Sequence, residues 1–462
     1  MLNQIKVLCV GAIFCAGFTL ANAVQAAAVT QEMTLPNGLK VIVREDHRAP
    51  LVLHQVWYRV GSMDEPAGRT GLSHMLEHMM FRGTKTIPDK EFSRQISAVG
   101  GEENAQTSRD YTLYFQRLPK EHLELAMKLE SDRMHNLQIK DELFQKEREV
   151  VHEERRWRTD DSPMGLVYER FNSIAWLAHP YRVPVIGWPE DIRRWKLADL
   201  NDWYRSWYVP NNATLVVVGD VDSKAVFKLA EKYYGRWPKA ALPERRPTLE
   251  PTPDGERRII VKAPSELGFV MLGFPVPGLK DPAKDWEPYA LDLLSSVLDG
   301  HNAARLAVNL SQKGLVQNVG VGYDGISRGP QIFSIGGTPK PGQTPAEFEK
   351  LVLAEIKRIA DEGVSKEELD RVKRQARAAQ VYEQDSMYTQ ARRIGDLEVA
   401  GFSWRDLDVI DLQLQLITPA QVQAVAKKYF TPESLIGATL DPQPIDPNAK
   451  PKAAPKGLRH DS

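Results

Sequence analysis

Cysteine is almost missing. The 462-residue chain has two, Cys9 and Cys15, both within the first fifteen positions. Beyond them, disulfides, thiol nucleophiles and thiolate metal sites are excluded, so a metal must be held by His, Asp or Glu. An excess of one charge is missing too. With 60 basic and 61 acidic side chains, no electrostatic footprint for nucleic acid exists. No apolar run is long enough to span a membrane either. The N-terminal run, residues 7–20, falls short of the about 20 residues such a helix needs.

That run has a different reading. One lysine precedes it and small residues follow, with "ANA" (21–23) and "VQA" (24–26) both fitting a signal-peptidase site. Residues 1–26 are therefore expected to be a cleaved secretory signal, cut after Ala23 or Ala26, with the periplasm as destination. Its removal takes both cysteines with it, a composition that suits an oxidising compartment.

The stretch 241–258, "ALPERRPTLEPTPDGERR", has four prolines and few apolar residues and reads as a linker. It separates residues 27–240 from 259–442. Residues 443–462, rich in Pro and Lys, are expected to be a disordered tail. The two halves echo each other. "LADLNDWYRSWYVPNNATLVVVGD" (197–220) and "ITPAQVQAVAKKYFTPESLIGATLDP" (417–442) share an order of helix, aromatic pair, proline turn and strand. Near the starts, 51–68 and 267–285 both give a strand, a turn and a helix. The expected fold class is α+β: two homologous domains from an internal duplication, each a mostly antiparallel sheet covered by helices.

Chemistry concentrates in "GLSHMLEHMMFRGT" (71–84). At about 100° per residue, a helix over 70–81 puts His74, Glu77 and His78 on one face. Leu72, Met75, Leu76, Met79 and Met80 fall opposite. Imidazoles one turn apart can reach one zinc ion, and Glu77 beside them can polarise a water. A further donor is sought in "DELFQKEREVVHEERRW" (141–157). There Leu143, Phe144, Val150, Val151 and Trp157 define an apolar stripe, with Glu147 and Glu154 in its middle. A carboxylate aimed into a core needs a cation or a metal beside it. Glu149, His152 and Glu153 fall outside the stripe.

Other signals read as structure. "GVGYDG" (320–325) is followed by a strand-like run, which fails the dinucleotide context. "RRWR" (155–158) reads as a solvated helix end. His122, His135 and His179 have no partner at ligand spacing.

Together these segments resemble the inverted-motif zinc peptidases of the pitrilysin/insulinase family, in the short two-domain form similar to mitochondrial processing peptidase subunits. His-x-x-Glu-His is followed, after 75 residues, by Glu154 within "EREVVHEE". "GGEENAQTSRDYTLYF" (100–115) and "HPYRVPVIGWPEDI" (179–192) are similar to two further family segments. The resemblance implies a zinc metallo-endopeptidase acting on peptides or unstructured polypeptides. It implies His74, His78 and Glu154 as zinc ligands, Glu77 as general base and Glu147 as supporting carboxylate. It also implies that Asn104 and Ala105 lie on an edge strand that binds extended substrate. An ungapped alignment of Gly83 with Gly300 sets Leu291, Leu294 and Ser295 opposite His74, Glu77 and His78, so one zinc per chain is expected. The opposing expectation, a non-catalytic assembly or chaperone-like subunit, sits poorly with an intact motif. Active relatives have an Arg and a Tyr seven apart in the second half; here "NLSQKGLVQ" (309–317) has Leu310 and Gln317. Tyr323 and Arg328 offer such a pair in reverse order. The expected partner is a homologous subunit lacking the zinc motif but bearing the Arg/Tyr pair, with a homodimer as the alternative.

Overall fold

A computed structural model describes residues 29–446. The expected signal, 1–26, and residues 447–462 of the expected tail lie outside the described residues. β-Branched and aromatic runs form most of the central strands, while the edge strands β1 and β4 are more polar. In the first half these are β1 (Thr30–Thr34), β2 (Lys40–Glu45), β3 (Leu51–Tyr58), β4 (Glu102–Thr107), β5 (Thr112–Pro119) and β6 (Ala213–Gly219). The second half supplies β7 (Arg257–Pro264), β8 (Phe269–Val276), β9 (Asn318–Gly322), β10 (Gln331–Thr338) and β11 (Ile436–Gln443).

The strands build two sheets with orders β1-β2-β6-β3-β5-β4 and β7-β11-β8-β10-β9. The orders superpose if β1 is set aside. In each, the last strand of the half inserts beside the first and runs parallel to it, β6 along β2 and β11 along β7. All other pairings are antiparallel. This is the expected α+β duplication. "GVGYDG" ends β9 and enters the loop to β10, so a strand and not a helix follows it.

The halves also exchange helices, which the sequence does not announce. Helix Pro163–Ala175, from the first half, lays Val167, Phe171 and Ala175 against Val261, Ala263, Ile436 and Ala438 of the second sheet. Helix Met387–Ala400, from the second half, returns Ala391, Ile394 and Val399 onto Ile42, Leu53, Trp57, Val216 and Val218 of the first. Fully burying one Ile or Val contributes roughly 1.5–3 kcal/mol, so each exchanged helix is a substantial tie. It also explains why β3 is buried along seven of its eight residues.

Polar contacts lock the same junction. Arg328 makes a two-pronged ion pair with Asp64, both contacts 2.7 Å, with both side chains 5% exposed. Its amide and guanidinium also donate to Asp110. The Tyr323 hydroxyl donates to Pro277 O at 2.8 Å. Arg328 of the reversed pair is thus committed to joining the halves, sharing Asp64 with Arg245, while Tyr323 is bonded within the second half.

A further tie is pH-sensitive. Asp46 accepts two hydrogen bonds from the Arg48 guanidinium and one from Gln390 of the exchanged helix. Arg48, then Gln390, hold its carboxyl down at about 2, against burial. A depressed acid stabilises above its unfolded pKa, and that stability is lost as pH falls through the folded value. Thermal stability should fall between about pH 4 and pH 2 by about 1 kcal/mol from this group, allowing for screening at the half-exposed Arg48. In Asp46→Asn that portion of the acid titration should vanish.

Candidate active site and metal centre

The helix bearing His74 is short, Leu72–Met79, and is anchored at its start. Gly71 and Gly187 face each other with φ of 87° and 90°, and a Cβ on Gly71 would meet Ile186 O at 2.5 Å. Only glycine permits both that conformation and that approach. The N–H groups of Gly71 and Ser73 donate to the two oxygens of Glu65, at 2.6 and 2.7 Å. The Thr70 hydroxyl and N–H donate to Asp191. Carboxylates from outside the helix therefore satisfy N–H groups that its first turn cannot.

All eight residues of this helix are buried. The polar face expected from the periodicity does not meet water, because helix Asp141–Arg155, helix Leu197–Trp207 and β4 enclose it. Leu72, Met75, Leu76 and Met79 join the first core. His74, Glu77 and His78 are 7%, 1% and 6% exposed.

Glu154, 1% exposed, completes the cluster. Its Oε1 lies 3.7 Å from His74 Nε2 and its Oε2 lies 3.3 Å from His78 Nε2. Ligand atoms of His74, His78 and Glu154 all fall within 4.8 Å of one another, and no other such three-residue group occurs among the described residues. Zinc binds His and carboxylate at about 2.0–2.2 Å, which puts tetrahedral ligand atoms about 3.3–3.6 Å apart. The Glu154–His78 separation fits that spacing and the Glu154–His74 one is slightly longer, and two imidazoles with a carboxylate are a zinc donor set.

Behind His78, its Nδ1 pairs with Glu147 Oε2 at 3.2 Å, and Arg82 pairs with the other Glu147 oxygen. Glu147 is thus placed to orient the ring. Burial opposes charge on His78, but its hydrogen bonds to Glu147 and Glu154 prevail and push it up to about 9. Burial likewise opposes charge on Glu154, while His78, His74 and Arg158 hold it down at about 2. These carboxylates are primed for a cation.

Glu77 accepts a hydrogen bond at Oε2 from the Thr107 hydroxyl of β4. β4 is the outermost strand of its sheet, beside β5, and contains Asn104 and Ala105. Ala105 is 5% exposed in the first core, and Asn104 Oδ1 accepts from the Ala105 N–H at 2.9 Å. The second half has no counterpart: Leu291 and Leu294 are buried in its core and Ser295 Oγ donates to Asp292 O.

Two readings of the sequence need correction. Trp157 does not join the apolar stripe; it is 39% exposed, since the helix ends at Arg155 and a wider π turn spans Arg156–Asp160. Nor is "RRWR" only a solvated helix end. Arg155 is 2% exposed, bonded to Glu169 and to Gly187 O, and Arg158 Nη1 lies 3.2 Å from Glu154 Oε1. Arg156 alone keeps that role, half-exposed against Glu153. Thr107 was legible only as the last residue of "GGEENAQT", and nothing in the sequence pairs it with Glu77.

Comparison with known proteins agrees with this geometry. The insulinase (peptidase family M16) profile matches residues 40–187, and the peptidase M16 inactive domain profile matches 194–376. A Helicobacter pylori relative, zinc protease PqqE, is 32% identical over 410 residues, covering 87% of this chain and 90% of that one. This chain belongs to the insulinase family of peptidases, M16. A crystal structure of an H. pylori protease superposes with a TM-score of 0.85 at 31% identity, over 90% of this chain and all of that one. The periplasmic protease PqqL from Escherichia coli shares the fold (TM-score 0.77, 20% identity), with 91% of this chain matching 50% of that one.

The contacts of this M16 chain rank the carboxylates for metal binding. Glu154→Gln should lose zinc by more than the about 10–100-fold expected for Glu147→Gln, which removes only the support behind His78. Glu153→Gln, at a half-exposed carboxylate, should leave affinity unchanged. Zinc competition with a chelating indicator measures all three.

Proposed function

We propose that the chain is an exported zinc metallo-endopeptidase that hydrolyses peptides or unstructured polypeptides. The observation that supports this best is the placement of Glu77, a buried carboxylate beside a His/His/Glu donor set and tied through Thr107 to an edge strand. In this reading His74, His78 and Glu154 hold zinc, one per chain, and Glu147 orients His78. Zinc there supplies Lewis acidity, which makes a water nucleophilic near neutral pH.

The chain's own groups do the rest. An extended substrate adds to the open edge of β4, where Asn104 and Ala105 lie, and its strand displaces the Asn104 side chain from the Ala105 amide. Glu77 takes a proton from the attacking water as its oxygen bonds to the carbonyl carbon. As the C–N bond breaks, Glu77 delivers that proton to the departing nitrogen. Glu77→Gln should keep zinc yet lose at least about 100-fold in kcat, since an amide cannot accept the proton. Near-normal turnover of an unstructured peptide by the zinc-loaded variant would remove Glu77 from the mechanism.

The destination proposed is the periplasm, from the composition of residues 1–26 and from the periplasmic E. coli relative. The partner proposed is a homologous subunit that lacks the zinc motif and has the Arg/Tyr pair; a homodimer is the alternative. Leu310 has no donor to offer and is buried in the second core, and Arg328 is held by Asp64, so neither supplies the missing arginine. That one E. coli chain spans about twice the matched length suits a pairing of two such units. Adding the homologue to the purified chain should raise peptide cleavage at least about tenfold. Full activity of the isolated chain, unchanged by the homologue, would reject the heterodimer.

A further inference from the structure

Peptide hydrolysis builds negative charge on the carbonyl oxygen, and a site speeds it by holding positive charge where that oxyanion forms. Around the donor set stand three carboxylates, Glu77, Glu147 and Glu154, and two guanidiniums ion-paired to them, Arg82 and Arg158. Arg158 contacts a member of the donor set, Glu154, directly, whereas Arg82 divides its contacts between Glu147 and Asp89.

The two arginines are not equivalent. Arg82 pairs with Glu147 and reaches Asp89 at 3.6 Å. Glu147 in turn sits at His78 Nδ1, the ring nitrogen opposite the one facing Glu154. Arg82 therefore lies behind the imidazole. Arg158 approaches from the ligand side: its Nη1 is 3.2 Å from Glu154 Oε1, the oxygen 3.7 Å from His74 Nε2. Its side chain is 30% exposed, whereas those of His74, His78 and Glu154 are 9%, 4% and 1%. It belongs to the π turn Arg156–Asp160, a local widening that recurs at functional sites.

We propose that Arg158 is a catalytic residue whose guanidinium donates to the oxyanion; this rests on the peptidase reading above. The charge grows on the carbonyl oxygen as the water oxygen bonds to carbon and Glu77 takes the proton. It disappears when the carbonyl re-forms, the C–N bond breaks and the amine leaves with that proton. Arg158 gains and loses nothing, which suits a side chain that stays protonated at any working pH.

The test compares zinc-loaded, full-length wild type with Arg158→Met and Arg158→Lys. Four quantities are measured: kcat and KM on an unstructured peptide, zinc affinity by indicator competition, and Kd for a phosphonamidate peptide that mimics the tetrahedral oxyanion. Arg158→Met should lose about 100-fold or more in kcat and in phosphonamidate affinity, with KM within about threefold and zinc affinity unchanged. Arg158→Lys should recover part of both losses. Loss of zinc from Arg158→Met would make Arg158 a support for Glu154 and overturn the proposal. An active wild type with an equally active Arg158→Met would overturn it alone. A zinc-binding wild type that cleaves no peptide, with or without the homologous partner, would overturn the peptidase reading and this proposal together.

Discussion

A carboxylate removed from water must find positive charge, and Glu154 is the group on which this structure turns. At 1% exposure an isolated carboxylate would be destabilising by several kcal/mol. It is tolerated because two imidazoles and a guanidinium converge on it from His74, His78 and Arg158. That convergence fixes the crossing of two helices, Leu72–Met79 and Asp141–Arg155, and so the position of Glu77 between them and β4. Capping of the first helix by Glu65, and the glycine contact of Gly71 with Gly187, hold the same crossing from its other end. The two imidazoles that neutralise Glu154 would, together with it, offer a dication two nitrogens and an oxygen.

The duplication gives this arrangement its asymmetry. Both halves build the same sheet, yet the helix equivalent to Leu72–Met79 fills its polar positions with Leu291, Leu294 and Ser295 and closes as ordinary core. The second half then contributes in other ways. It returns the helix Met387–Ala400 to cover the first sheet and drives the Arg328 guanidinium onto the Asp64 carboxylate and the Asp110 backbone carbonyl. One half thus holds the His/His/Glu cluster while the other fixes the frame around it.

Much of this was legible in residue order because the relevant signals are local. The His-x-x-Glu-His spacing places three side chains on one helix, and Glu147 and Glu154 stand out because they interrupt an apolar stripe at helical period. Duplication was legible because the same elements recur in the same order. What escaped is what depends on tertiary contact. No periodicity tells that the eight-residue helix is buried all round, since its polar face meets the Asp141–Arg155 helix and β4 and not water. The exchange of helices between halves leaves no local trace either, because an amphipathic helix looks the same whichever sheet it covers. Arg155 and Arg158 read as solvated charge for a similar reason: their partners Glu169, Gly187 and Glu154 become neighbours only once the chain folds.

The central claim is that this chain binds one zinc ion through two imidazoles and one carboxylate. X-ray absorption at the zinc edge of the loaded protein tests it most directly. The account predicts one zinc per chain and a first shell of nitrogen and oxygen at about 2.0–2.2 Å, with the multiple-scattering signature of two imidazoles. A shell with one or three imidazoles, or a stoichiometry other than one, would contradict it.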